Sequence, residues 1–228
     1  MVFAGICAGG SGLRFGGDVP KQFLSLNGKA VIMYSVEAFL QWGRCERIFV
    51  AVGADWLEYC KELFAQYDSV AVIEGGADRG ETVARLVEAA FASGGTESDI
   101  IATHDAARPF VSTRVIERCV AAAEDVGVSG AALPATDTVL QCQDEIVLAA
   151  PPRSEMFLAQ TPQCFRLGTF HRVWNGLSEA EKKAATDVCG MFCRAGAEVR
   201  IVEGSRECFK ITTAEDFDIA QYMAKSEE

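Results

Sequence analysis

Directly after a short apolar run, residues Ala8 to Phe23 read A-G-G-S-G-L-R-F-G-G-D-V-P-K-Q-F. Five of these sixteen residues are glycine, the residue a backbone needs for positive φ or for close approach to a ligand. Two cations, Arg14 and Lys21, stand inside the same stretch. Backbone N–H groups flanked by fixed positive charge suit a polyphosphate. A dinucleotide fingerprint fails, because counting from Gly10 and Gly12 the third glycine position is Phe15. A P-loop fails as well, since the glycine spacing from Gly12 to Gly17 is followed by Asp18 and Val19 instead of Lys and Ser/Thr. Taken alone, this stretch also fits an ordinary tight turn between strand and helix with two solvated charges.

The rest of the composition narrows the chemistry. The chain has 228 residues, half of them hydrophobic, and a formal net charge of -11. That balance argues against non-specific nucleic-acid binding, which needs Lys and Arg to neutralise phosphates. An anionic ligand must be held by local cations inside a generally repulsive field. The nine cysteines form no C-x-x-C pair, and with His104 and His171 as the two histidines, Cys189 and Cys193 make a poor zinc set. Most of them read as buried reduced thiols. No signal-peptide pattern and no apolar run of membrane-spanning length is present, so a cytoplasmic protein without membrane contact is expected.

The elements that must position the loop follow from periodicity. Strand-like runs at Val2–Cys7, Arg47–Val52, Val70–Glu74, Ile100–Thr103 and Gly130–Leu133 alternate with helical patterns at Ala30–Gly43, Ala54–Tyr67, Gly80–Ser93 and Ser112–Val126. This alternation predicts a parallel sheet covered by helices, with ligands at the carboxyl ends of its strands. The Ala8–Phe23 loop, Gly75–Arg79 and His104–Phe110 all fall at such ends. From 134 to 165 the pattern turns to short alternating segments, Thr138–Gln141 and Ile146–Ala150, and a Pro-Pro pair at 151, which predicts a projecting β-arm. Helical periodicity returns at Gly168–Asn175 and Glu179–Ala195, a strand follows at Glu198–Val202, and Thr213-Ala-Glu-Asp216 opens a last helix with a capping box.

Six segments together resemble one family. They are Ala8–Phe23, Gly75-Gly-Ala-Asp-Arg-Gly-Glu-Thr-Val83, His104-Asp-Ala-Ala-Arg-Pro-Phe110, Arg153 with Gln160-Thr-Pro-Gln163, Thr186-Asp187, and Glu203-Gly-Ser205 with Lys210-Ile-Thr-Thr-Ala-Glu-Asp216. In order and spacing they look like the cytidylyltransferases that activate polyol phosphates, the 2-C-methyl-D-erythritol 4-phosphate cytidylyltransferases and the related D-ribitol-5-phosphate enzymes. The resemblance runs from Val2 to about Met223. It implies an α/β fold, a Rossmann-like nucleotidyltransferase sandwich with a mostly parallel sheet and a protruding β-arm. It also implies one nucleotidyltransferase domain over 1–228, with 134–165 as an arm that makes a homodimer contact.

The implied reaction is attack by a polyol phosphate on the α-phosphorus of CTP with loss of pyrophosphate, Mg²⁺ bridging the nucleotide phosphates. Positioning and electrostatic stabilisation dominate such a transfer. By the match, Arg14 and Lys21 sit on the CTP phosphates, and Arg153 and Lys210 hold the attacking phosphate. Ala8, Gly9, Gly10 and Gly12 match the loop at the nucleotide, and Gly76, Arg79 and Thr82 the segment around cytosine and ribose. Asp105, Ala106 and Arg108 match a strand-end motif at substrate and ribose, with Asp105 a neighbour of the metal. Thr138, Thr161 and Thr186 match hydroxyls on the polyol phosphate, although capping or turn bonding also explains a threonine. His104 takes a structural role, because an attacking phosphate is already anionic and needs no base.

The substrate features divide. Leu177–Lys182, Ala135–Thr138 and Arg153–Phe157 read like the ribitol branch, as does Gly9 in the first motif. The loop length of Gly16–Lys21 and Glu203-Gly-Ser205 read like the methylerythritol branch. The family's usual Asn-Ile before the late lysine is Cys208-Phe209 here. Methylerythritol phosphate is the expected acceptor, within the non-mevalonate route to isoprenoids, with ribitol phosphate as the alternative. A nucleotide-binding module without turnover is disfavoured by the presence of all four cations, and an oxidoreductase by the broken fingerprint.

Overall fold

The computed structural model describes residues 1–10, 19–185 and 187–225. After β1 (Val2–Ala8) and a 3₁₀ turn at Lys21–Phe23 come the short pair β2 (Ser25–Leu26) and β3 (Lys29–Ala30), then α1 (Val31–Trp42) and β4 (Arg47–Val52). The alternation continues with α2 (Leu57–Phe64), β5 (Val70–Glu74), α3 (Arg79–Ala92), β6 (Ile100–Asp105), α4 (Thr113–Val126) and β7 (Val128–Pro134). A hairpin of β8 (Gln141–Gln143) and β9 (Ile146–Ala149) precedes β10 (Phe157–Arg166). The chain finishes with α5 (Leu167–Gly176), α6 (Glu179–Lys183), α7 (Val188–Arg194), β11 (Arg200–Glu203) and α8 (Ala214–Lys225).

Seven strands form the main sheet in the order β11-β7-β10-β6-β1-β4-β5. Its pairings are parallel except for β10, which runs antiparallel to both β6 and β7. Strand β1 is buried almost throughout because helices cover both faces, the arrangement that gives parallel strands continuous apolar runs. Side chains alternate across it: Val2, Ala4 and Ile6 enter a core with Phe39 and Ile116, while Phe3 enters the opposite core with Leu86, Phe165 and Phe192. A third cluster holds α8, through Ala220 and Ala224, against Leu26, Phe110 and Ile211.

Caps mark the helix ends. Asp78 accepts the Glu81 N–H at α3, and Ser112 the Val115 N–H at α4. Gly43 and Gly127 end α1 and α4 at φ of 72° and 92°, the left-handed region where glycine is favoured. The capping box of α8 forms, with Thr213 Oγ1 accepting from Asp216 N at 3.3 Å and Asp216 Oδ2 accepting from Thr213 N at 2.9 Å.

Two expectations need correction. The stretch 134–165, expected to be arm throughout, divides: Phe157–Arg166 is a ten-residue strand of the main sheet, buried from Gln160 to Phe165. Its polar and proline residues concealed it, since a buried strand normally reads as an apolar run. The hairpin turns through Asp144 and Glu145, both at positive φ, as a two-residue turn between twisted strands requires. The single helix expected over 179–195 is two, because Asp187 accepts the Gly190 N–H at 2.6 Å and starts α7 afresh. Periodicity missed the break because Ala185, Val188 and Met191 enter one core across it.

Candidate active site

In the sheet, β1 lies between β4 on one side and β6 on the other, so successive connections leave it in opposite directions. A crevice opens at the carboxyl ends of the strands at such a switch point. Here it is a cavity of about 620 Å³. Its walls are the end of β1 with Ala8, Gly9 and Gly10, the 3₁₀ turn with Lys21 and Gln22, the segment Gly76–Arg79 with Thr82, the end of β6 with Asp105 and Ala106, and Lys210.

The loops are set by hydrogen bonds from beneath. Gln22, buried, donates Nε2 to the Ala8 and Gly10 carbonyls at 2.7 and 3.0 Å, clamping the start of the glycine loop. The Thr82 hydroxyl donates to Asp78 O at 2.7 Å and accepts from Gly76 N at 3.1 Å, so it shapes the turn before α3. Gly76 has no room for a side chain: a Cβ there would lie 2.2 Å from Glu81 Cβ and 2.8 Å from Thr82 N.

Charge concentrates at one point. The Asp105 carboxylate, 11% exposed, accepts from Arg79 Nη2 at 3.2 Å and Lys210 Nζ at 2.9 Å, and Arg108 Nε stands 3.7 Å away. Burial by itself would raise the Asp105 carboxyl, but Arg79, Lys210 and Arg108 outweigh it and hold it well below the ordinary carboxylate range. Burial likewise disfavours charge on Arg79, and Asp105 overcomes it, so Arg79 stays firmly protonated. Three cations on one carboxylate leave a local surplus of positive charge in a chain of net charge -11. Cys7, at the cavity edge, is pushed up to about 11 by burial and is no nucleophile at neutral pH.

The structure therefore brings together Ala8, Gly9, Gly10, Lys21, Gly76, Arg79, Thr82, Asp105, Ala106 and Lys210 around one cavity. Arg108 adjoins it, donating Nη1 to Cys208 O at 3.0 Å, and lines a second hollow with Lys210 and Thr136. Thr161 is buried, its hydroxyl turned toward His104 and the Asp105 N–H. Thr138 and Arg153 lie on the arm, outside both hollows, with Arg153 Nη1 on Thr136 O at 3.2 Å. Gly12, Arg14 and Thr186 lie outside the described residues. Among the described residues no group of three or more His, Cys, Asp or Glu is placed to hold a metal ion. Gln22 was missed by sequence reasoning, although it sits beside Lys21 in Pro20-Lys-Gln-Phe23.

A mostly parallel sheet whose switch point carries a glycine-lined, cation-bearing cavity defines a Rossmann-like nucleotidyltransferase. Within that class the assignment is specific. A family model described as IspD, 2-C-methyl-D-erythritol 4-phosphate cytidylyltransferase, matches residues 2–226, and the chain belongs to that family. It is thus a CTP-dependent cytidylyltransferase acting on 2-C-methyl-D-erythritol 4-phosphate in isoprenoid synthesis. Among solved structures it is similar to the 2-C-methyl-D-erythritol 4-phosphate cytidylyltransferase of Francisella tularensis, at 28% identity and TM-score 0.82, over 97% of this chain and 98% of that one. The Thermus thermophilus enzyme of the same description matches at 28% identity and TM-score 0.75, over 99% of this chain and 100% of that one. The fold is also that of 4-diphosphocytidyl-2C-methyl-D-erythritol synthase from Anaerococcus prevotii, at 23% identity and TM-score 0.81, over 98% and 96% of the two chains.

Proposed function

We propose that the cavity receives CTP against the glycine loop and that the acceptor phosphate enters beside Lys210 and Arg108. The observation that carries this reading is the cluster of three cations on Asp105 at the end of a cavity also lined by Lys21. In the reaction an oxygen of the acceptor phosphate bonds to the α-phosphorus while the bond from that phosphorus to the bridging oxygen breaks, and pyrophosphate leaves. Lys21 with Arg14 stabilises charge on the five-coordinate phosphoryl group, and Lys210 exchanges its carboxylate for the incoming phosphate. Arg79 and Gly76 lie toward base and ribose, and Asp105 fixes the cations before either substrate arrives.

Magnesium fits as an ion carried by the triphosphate. Such ions keep several waters and take phosphate oxygens with one or two carboxylates, needing no protein cage. Of the lining carboxylates, Asp78 caps α3 and Asp105 is engaged by cations, so phosphate oxygens and water would hold the ion with Asp105 as its nearest acidic neighbour. When bound, it neutralises charge on the phosphates and the leaving group.

The arm supports a homodimer of these single-domain chains. Ile146, Val147 and Leu148 project from β9, and Phe157 and Leu158 from the start of β10, all exposed. A patch of this kind marks an association surface. A second copy seated there would bring Arg153 and Thr138 toward the acceptor in its partner's cavity. Thr186 is assigned to the acceptor as well. Nine free cysteines suit a reducing compartment, and no helix among the described residues is long and apolar enough to cross a membrane. We assign the protein to the cytoplasm.

Purified protein with CTP and Mg²⁺ is to be given methylerythritol phosphate or D-ribitol 5-phosphate separately, with pyrophosphate release followed. Faster turnover per substrate concentration on methylerythritol phosphate is expected. A higher kcat/KM on ribitol phosphate would overturn the assignment of the acceptor side.

A further inference from the structure

Within β10, four consecutive residues, Gln160-Thr-Pro-Gln163, interrupt an otherwise apolar strand at a register shift against β7. Three carry polar side chains, and all three are buried, at 6%, 3% and 2% exposure. An unsatisfied buried polar group is costly, so a strand selected for stability alone would be apolar here. Instead each side chain is satisfied, and each by a different segment.

Gln160 brackets the turn that precedes Lys210. Its Oε1 accepts from Ser205 N at 3.1 Å, while Nε2 donates to the Ser205 and Cys208 carbonyls at 2.8 and 3.3 Å. The turn leaves space for that amide because residue 204 is glycine: a Cβ there would lie 2.0 Å from Gln160 Oε1. The Cys208 carbonyl also accepts Arg108 Nη1, so one amide orders the supports of both Lys210 and Arg108.

Thr161 governs the carboxylate. Its Oγ1 accepts from Asp105 N at 3.1 Å and, because Arg108 O can only accept from the opposite ring nitrogen, the hydroxyl donates to His104 Nδ1 at 2.8 Å. That leaves the proton of His104 on Nε2, donated to Arg108 O at 3.0 Å. The turn from Asp105 to Arg108 is thus held at both ends from β10.

Gln163 governs the third cation. Its Oε1 accepts from Arg79 Nη1 at 3.4 Å and from Val188 N at 3.3 Å, and its Nε2 donates to Asp187. The orientation of Arg79 is thereby tied to the start of α7.

We infer that Gln160, Thr161 and Gln163 are positioning residues that set, from within the sheet, the four charged groups gathered at the reaction site, and that they divide the two substrates among them. This rests on the reading of the cavity given above. Gln163 acts through Arg79 on the nucleotide, Gln160 acts through Lys210 and Arg108 on the acceptor phosphate, and Thr161 acts through Asp105 on both.

The test is a split of kinetic constants, which a general loss of packing does not produce. Gln163→Met is expected to raise KM for CTP about tenfold with the acceptor KM within about twofold, and Gln160→Met to do the reverse, the scale of losing a support behind a binding group. Thr161→Ser, which keeps the hydroxyl, should stay near wild type, whereas Thr161→Val loses about tenfold in kcat/KM for both substrates. Folding is monitored by thermal unfolding. If a methionine variant does not fold, the asparagine variants, polar but one methylene shorter, carry the same test and should split in the same direction. Folded variants in which both KM values move together, or neither moves, overturn the inference. Lys21→Ala in the same assay separates the two readings, because full activity of that variant would reject the cavity as the reaction site, whatever the β10 variants do.

Discussion

Around Asp105, charged groups from residues 79, 108 and 210 converge within 3.7 Å and are partly shielded from water. On the arm the opposite holds. Ile146, Val147 and Leu148 stand 67%, 53% and 58% exposed, and Arg153 bonds a nearby backbone carbonyl at the arm's base. One region has its charges answered from within the chain, and the other presents apolar surface with nothing of its own chain over it. The contrast teaches that the charge cluster at Asp105 is completed by the folding of a single chain. On our proposal the acceptor side is finished by association.

The sharpest way to strain that contrast is Lys21→Ala. Its contact should strengthen as charge builds on the α-phosphoryl group, so turnover is expected to fall about 10²–10³-fold with CTP affinity changed far less. Equal loss of affinity with unchanged turnover would remove Lys21 from that role. Isothermal titration and steady-state rates on the same preparation decide it.

A mixed dimer sharpens the comparison itself. If Arg153 serves the partner's cavity, a Lys21→Ala chain paired with an Arg153→Ala chain contains one fully wild-type site and one doubly impaired site. About half the wild-type activity per dimer is then expected, by symmetry. If Arg153 serves its own chain, both sites are impaired and verified heterodimers stay inactive.

The smallest expected effect concerns the finished side and its dependence on pH. Burial lowers His104 from its ordinary 6.5 to about 4, with the Arg108 carbonyl and nearby Asp105 favouring its protonation and the Arg108 and Arg79 guanidinium groups opposing it. Between those values the unfolded chain takes up a proton that the native chain does not. Stability should therefore fall as pH drops from about 6.5 to 4, by about 3 kcal/mol, and be constant from this source above 6.5. Denaturant midpoints across that window measure it, and His104→Gln should flatten the curve. The loss from Asp105 begins where an ordinary carboxylate titrates, at the lower edge of that window, and continues below it.

Much of this was legible in the chain. β1, β4 and the first half of β6 announce themselves because both faces are covered, which favours apolar runs. Lys21, Arg79, Asp105 and Lys210 were legible as members of the family pattern, and they share the cavity. Strand β10 was not legible, because its buried polar side chains find partners as far as 84 positions away in the sequence, and local periodicity carries no trace of them. The Gln22 clamp was hidden for a similar reason: its partners are backbone carbonyls, which have no side-chain signature.

On our proposal, the paired carboxylate of Asp105 would also govern which anions the cavity admits. Chloride or a lone monoanion offers these cations no more than they already possess, and so gains little by competing. A ligand bearing several linked negative oxygens would recruit Lys21 as well as the groups at Asp105, and so would win the exchange. Selectivity for polyphosphate over the simple salts of the surrounding solution would then come from an occupant already in residence.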